Sequence, residues 1–453
     1  MSPELLARLE TLCQDRVSTN PTLREQHGKG ESYHPCHAPD AVVYPESTQE
    51  ISEIVRLCQQ YQSKIIAFGV GTSLEGQVAA LQGGISLDMS GMKKIIELNE
   101  LDFDVKVEAG LTHRELNQYL NGTGLFFPVD PGADATLGGM CATRASGTNA
   151  VRYGTMRENV LGLTVIMANG EIIQTGGRAR KSAAGYDLTR LFIGSEGTLG
   201  IISEIRLRLH PLPEETAAAV CSFPTVKDAA NAVIEILQNG IPLARIEFLD
   251  ALCMKAVNSY SKLNYPEMPT LFLEFHGQKV GMAEQVRVVS EITHNHSGGD
   301  FAWSIKPEER SKLWRARHDA YPSLKAMNPG LSALTSDVCV PISRLAECIE
   351  QSHENAQKSF LPSMIVGHVG DGNFHQIYFF KPNDLVQQKE AQRLSDAQVE
   401  LALELGGTCS GEHGIGLGKM KYLKAEHGKA VEIMRAIKYA LDPMDLLNPG
   451  KML

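Results

Sequence analysis

A short apolar run, Ile65-Ile66-Ala67-Phe68, stops abruptly at Gly69-Val70-Gly71-Thr72-Ser73-Leu74-Glu75-Gly76. A buried strand that breaks directly into glycine, threonine and serine can turn a row of backbone N–H groups toward a phosphate, with hydroxyls as further donors. The spacing is neither G-x-G-x-x-G nor G-x-x-x-x-G-K-[ST], and residues 77–84 do not read as the helix that a dinucleotide fingerprint requires. Alone, such a loop fits ordinary turn glycines equally well, because glycine is the default wherever φ must be positive. Two more clusters change the balance. Pro131-Gly132-Ala133-Asp134-Ala135-Thr136-Leu137-Gly138-Gly139 leads through Ala142 into Ser146-Gly147, and Gly194-Ser195-Glu196-Gly197-Thr198-Leu199-Gly200-Ile201-Ile202 follows later. Three separated clusters of small residues suit close backbone approach to one long polar ligand.

Around these clusters strand-like and helix-like segments alternate. Ser47-Thr48-Gln49-Glu50 has the form of a capping box, and Ile51, Ile54, Val55 and Cys58 then fall on one helical face. Thr112 to Glu115 repeats the form ahead of Leu116, Tyr119 and Leu120. The pattern changes after His210-Pro211-Leu212-Pro213. Residues 217–223, 244–249, 270–275 and 301–305 read as strands, and 226–237 and 282–293 as helices, which gives the order βαββαβ of a ferredoxin-like domain. Further strands are expected at 334–340 and 364–380, and a long helix at 383–405. The expected fold class is α+β, with a first domain over 1–214, a second over 215–425 and a C-terminal segment, 426–453, returning to the first.

Hydrophobic residues make up 43% of the 453-residue chain and charged ones 21%, an ordinary globular balance. The net charge of -10 provides no broad basic surface, so nucleic acid is not an expected partner. Nine scattered cysteines with no C-x-x-C pair offer neither an iron–sulfur cluster nor a structural zinc site, and suit a reducing compartment. No apolar run reaches the ~18 residues of a membrane span, and the first residues lack a signal core. The expectation is a cytoplasmic enzyme with room for loose attachment to the inner face of a membrane, and for a homodimer.

The sharpest local signal is Gly367-His368-Val369-Gly370-Asp371-Gly372-Asn373-Phe374-His375. Asp-Gly between apolar runs predicts a two-residue type I′ hairpin turn. With that turn His368 stands directly opposite His375, Cβ atoms roughly 5 Å apart, a separation suited to one metal ion. Ser410-Gly411-Glu412-His413-Gly414-Ile415-Gly416 offers a carboxylate and another imidazole. Two histidines and a carboxylate also build hydrolase and non-haem iron sites, so the pattern alone leaves the reaction open.

FGVGTSLEG, DPGADATLGGM and GSEGTLGII resemble the FAD-binding domain of the vanillyl-alcohol oxidase and p-cresol methylhydroxylase superfamily, which has two subdomains. GHVGDGNFH followed by SGEHGIG resembles the C-terminal domain of the FAD-linked D-2-hydroxy-acid dehydrogenases. The resemblance runs from about residue 40 to the closing DPMDLLNPGK. It implies FAD held by Gly69, Val70, Gly71, Thr72, Ser73, Gly76, Pro131, Gly132, Thr136, Gly138, Gly139, Ala142, Ser146, Gly147, Glu196, Gly197, Ile201, Ile202 and Asn448. Gln77 stands where some members carry a tethering histidine, which implies a non-covalent flavin. The resemblance further implies a divalent metal, zinc or manganese, on His368, His375 and Glu412, with His413 as catalytic base and substrate contact.

In Lys312-Leu313-Trp314-Arg315-Ala316-Arg317-His318 the family match places Arg317 at the substrate carboxylate, a role that suits a guanidinium fork. Thr335-Ser336-Asp337-Val338-Cys339-Val340-Pro341 has Ser336 where D-2-hydroxyglutarate members are expected to carry a lysine. It is more similar to the D-lactate dehydrogenases of mitochondrial and bacterial type, with a glycolate dehydrogenase catalytic subunit or a D-2-hydroxyglutarate dehydrogenase as the alternatives. The implied electron acceptor is a cytochrome, a quinone or an electron-transfer protein.

Overall fold

The computed structural model describes residues 1–453 as two compact units. The first comprises Met1–Gly147, Gly154–Leu212 and Glu412–Leu453; the second comprises Thr148–Tyr153 and Pro213–Gly411.

In the first unit a four-stranded sheet runs Val17–Ser18, Ala41–Val43, Ile85–Asp88, Ile65–Phe68, the last three mutually parallel. Helix Thr48–Gln60 connects two of these strands, and its Ile51, Ile54, Val55 and Cys58 are fully buried. Ser47 caps it by accepting from Glu50 N at 3.2 Å, but Glu50 turns its carboxylate to Glu46 N, so the reciprocal half of the expected box is missing. At Thr112 both halves form. A second, antiparallel sheet follows the order Ile95–Asn99, Asp104–Glu108, Ile201–Arg208, Val160–Ile166, Ile172–Gly176. Two sheets around one apolar core make the two subdomains expected of this unit.

The second unit holds an eight-stranded antiparallel sheet. Its first half runs Ala302–Ser304, Glu215–Ser222, Thr270–Gly277, Leu243–Leu249, with helices Val226–Gln238 and Lys279–Asn295 as crossovers, the ferredoxin-like order. One extra helix, Ala251–Ser261, lies between the second and third strands; Asp250 caps it by accepting from Cys253 N at 2.7 Å. The sheet continues through Ser363–His368, Asn373–Phe380 and Ser332–Thr335, with Val338–Cys339 paired to the same edge.

The division between units differs from the expected boundaries. Residues 148–153 join the second unit because Arg152 donates to the carbonyls of Pro242 and His276, and Tyr153 Oη pairs with His276 Nδ1 at 2.8 Å. The return to the first unit begins at Glu412 instead of residue 426. The backbone there is captured early: Glu196 accepts from Ile415 N at 2.6 Å and Gly416 N at 2.8 Å, and Gln77 Nε2 donates to His413 O at 2.8 Å.

Candidate active site

In the first unit the end of strand Ile65–Phe68 and the face of the antiparallel sheet border a cleft of about 420 Å³. It is lined by Ala67, Phe68, Gly69, Met89, Ala109, Thr136, Gly138, Gly139, Ala142, Gly197, Gly200 and Ile202. Eight of the twelve are glycine or alanine and none is charged, so a ligand there meets backbone N–H and C=O groups at close range. The close approach is structural too. A Cβ on Gly69 would lie 2.2 Å from Thr136 Oγ1, and one on Gly138 would lie 2.9 Å from Ala109 O. These lining atoms fit the long, polar cofactor expected from the glycine clusters.

Seven of the expected contact residues, Gly69, Thr136, Gly138, Gly139, Ala142, Gly197 and Ile202, line this cleft. The others do different things. Ile201 turns into the core with 1% exposure, as strand alternation next to Ile202 demands. The buried carboxyl of Glu196 holds the 415–416 backbone, and burial pushes its pKa up to about 7 against the pull of those two N–H groups. Asn448 Nδ2 donates to Glu196 O at 2.7 Å and Gln77 O at 3.2 Å, so it ties the two loops together. Gly147 packs against Asp130, where a Cβ would lie 2.6 Å from the backbone. Val70 is exposed, Gly71, Thr72, Ser73, Pro131 and Ser146 are half-buried, Gly76 is buried and Gly132 is exposed, all outside the cleft lining. Ala67, Phe68, Met89, Ala109 and Gly200 were not anticipated. The first two end the strand that feeds the loop, and that position was itself a signal.

The second unit gathers the histidines. The hairpin register pairs His368 with Asn373 and Val366 with His375, so residues 369–372 form a four-residue loop instead of the two-residue turn expected at Asp371-Gly372. A type I′ turn needs positive φ at both central residues, and only Gly372, at 78°, has it. His368 and His375 are therefore diagonal neighbours on one face, not directly opposed. Their rings still meet edge to face, with centroids 5.5 Å apart.

Each imidazole is held from behind. His368 Nδ1 lies 2.7 Å from Glu247 Oε1, and His375 Nδ1 lies 3.1 Å from Ser336 O and 3.7 Å from Asp337 Oδ1. An acceptor at each Nδ1 calls for a ring N–H there; in the neutral imidazole the lone pair then lies at Nε2, the pattern that orients metal-binding imidazoles. This donor set fits a divalent cation.

Burial alone would push the Glu247 carboxyl up, but His368 and Arg317 beside it hold it below the usual range. Arg317, at the end of helix Pro307–His318, gives its Nε (2.8 Å) and Nη2 (2.7 Å) to Glu247 Oε2. Asp337, fully buried, accepts from Asn373 Nδ2 and Ser410 Oγ, both at 2.9 Å, and so fixes the stretch that ends at Gly411. Ser336 is buried, its hydroxyl accepting from Gln376 N at 2.9 Å. Sequence reading missed Glu247 and Asp337; a lone carboxylate inside the apolar run LARIEFL was the available signal, since buried charges are kept only when paired.

Residues 39–176 match the model of an FAD binding domain, and residues 212–452 match that of the FAD linked oxidases, C-terminal domain. The Danio rerio protein named "Probable D-lactate dehydrogenase, mitochondrial" is 52% identical over 441 residues, covering 96% of this chain and 89% of its own length. The chain belongs to the FAD-linked oxidase family. An Arabidopsis thaliana member, "D-lactate dehydrogenase [cytochrome], mitochondrial", is 48% identical and covers 99% of this chain and 80% of its own length. The fold of this FAD-linked oxidase is shared with p-cresol methylhydroxylase, at a TM-score of 0.82 and 17% identity, with 99% of this chain and 96% of that one covered. The FAD-binding match spans two of the glycine clusters, and the C-terminal match spans the hairpin and the SGEHGIG loop. No helix of this oxidase is long and apolar enough to cross a membrane.

Proposed function

We propose that this FAD-linked oxidase converts a short D-2-hydroxy acid, D-lactate foremost, to the 2-oxo acid. In this reading FAD is bound non-covalently, a divalent metal sits on His368, His375 and Glu412, and His413 is the base. The relatives named D-lactate dehydrogenase support the substrate. The observation that carries the rest is the histidine pair, two rings with centroids 5.5 Å apart and each held at Nδ1 by an acceptor, which in a neutral imidazole puts the lone pair at Nε2. Glu412 follows directly on Gly411, and the preceding Ser410 is anchored to Asp337 on the histidine sheet.

When bound, FAD supplies the acceptor for the C2 hydride and a divalent ion, zinc or manganese, polarises the C2 hydroxyl. The protein's own groups do the remaining work. His413, whose backbone carbonyl is held by Gln77, takes the hydroxyl proton at its imidazole. Arg317, held by Glu247, grips the carboxylate with its guanidinium. A cytochrome, quinone or electron-transfer protein would take up the electrons; the name of the Arabidopsis relative specifies a cytochrome for that protein.

The test is substitution of the pair. His368→Ala and His375→Ala are each expected to lower metal content and D-lactate oxidation while FAD stays bound, because the flavin cleft draws on none of these residues. Full metal occupancy in both variants would remove the histidines from the proposal.

A further inference from the structure

Glu247 lies in the middle of the buried strand Leu243–Leu249 with no exposed surface, and each of its oxygens has a different task. Oε1 meets His368 Nδ1 at 2.7 Å; Oε2 meets Arg317 Nε and Nη2 at 2.8 and 2.7 Å. The register explains the first contact. Phe248 pairs with Gly367 across the neighbouring strands, so Glu247 falls beside His368. The second contact holds a helix-terminal arginine whose side chain is only 17% exposed.

We propose that Glu247 is a positioning residue that fixes, through its two oxygens, both the metal-binding tautomer of His368 and the substrate-gripping orientation of Arg317. The inference rests on the metal and arginine roles proposed above. Its physical basis is the acceptor count. A carboxylate can accept from a ring N–H and from a guanidinium edge at once, whereas an amide has one acceptor oxygen and a donating NH2 group. In Glu247→Gln the amide either turns its oxygen to Arg317 and its NH2 to His368, or the reverse. The first choice forces the His368 proton onto Nε2 and removes the lone pair from the metal side. The second leaves the arginine edge facing a donor.

The experiment uses the full-length, FAD-loaded protein stripped of metal. Zinc(II) affinity is measured by equilibrium dialysis, and KM for D-lactate is measured after reloading. Glu247→Gln is expected to bind zinc about 10–100-fold more weakly, as loss of a partner behind a ligating histidine does, and to raise KM with FAD content unchanged. Glu247→Asp keeps both acceptors one methylene short and is expected to recover part of each loss, a rescue that mere packing would not produce. It also carries the test should the glutamine variant not fold. Zinc affinity and KM both at wild-type values in Glu247→Gln, with zinc lost in His368→Ala, would overturn the role of Glu247 and leave the metal site standing. Weaker zinc binding with an unchanged KM would overturn the link to Arg317. Equal zinc uptake by the wild type and His368→Ala would overturn the metal site and this inference together.

Discussion

At Gly69 one missing methyl group decides whether two loops can meet. A Cβ there would lie 2.2 Å from Thr136 Oγ1, the atom that accepts from Gly139 N to cap the short helix beside the cleft. Gly69→Ala is therefore expected to push that cap away and weaken FAD binding by roughly 1–3 kcal/mol, the usual scale of overpacking. Flavin released on dilution, read by its fluorescence, measures this; wild-type retention would show that the two loops can part without disturbing the cofactor. Such glycines are legible in a sequence because no other residue type tolerates the approach. Glu247 was less legible. Its task depends on two partners, His368 and Arg317, far apart along the chain, and only the strand register brings them to it.

At the level of elements, the order of strands and helices in the second unit followed from periodicity, while the hairpin register did not. Asp-Gly is compatible with several turns; in the one formed here Val340 N donates to Gly372 O at 3.0 Å, and a Cβ on Gly372 would come within 2.2 Å of Val340 O. Both histidines kept the same face because register 368 to 373 and register 368 to 375 differ by two residues, the period of a strand. The short strand pair Leu125–Phe126 and His210–Pro211 gives a separate, measurable consequence. Burial pushes the His210 imidazole down to about 4, with Arg208 nearby acting in the same direction, and its Nε2 lies 2.9 Å from Asn159 Oδ1. Between about pH 6.5 and 4 the unfolded chain binds a proton at this site that the folded chain refuses, so the folded state loses stability as pH falls through that window. His210→Gln keeps a donor for Asn159 and is expected to flatten this loss. Thermal midpoints of the two proteins across the window check it; parallel curves would show that another group sets the slope.

For the whole molecule, the sequence resemblance identified the family before any geometry was known, because glycine clusters and histidine spacing are local features. The return of the chain to the first unit at Glu412 was not legible, since it depends on Glu196 and Gln77 capturing a backbone more than two hundred residues away in sequence. The glycine-lined cleft and His413 belong to one unit, and the histidine pair and Arg317 to the other. The most direct measurement is anaerobic stopped-flow absorbance of the bound flavin after mixing with D-lactate and, separately, with L-lactate. Rapid bleaching by the D enantiomer alone is expected, without any electron acceptor, with that step slowed by about 10²–10⁴-fold in His413→Asn. An oxidised flavin that persists with D-lactate in the metal-replete wild type would contradict it.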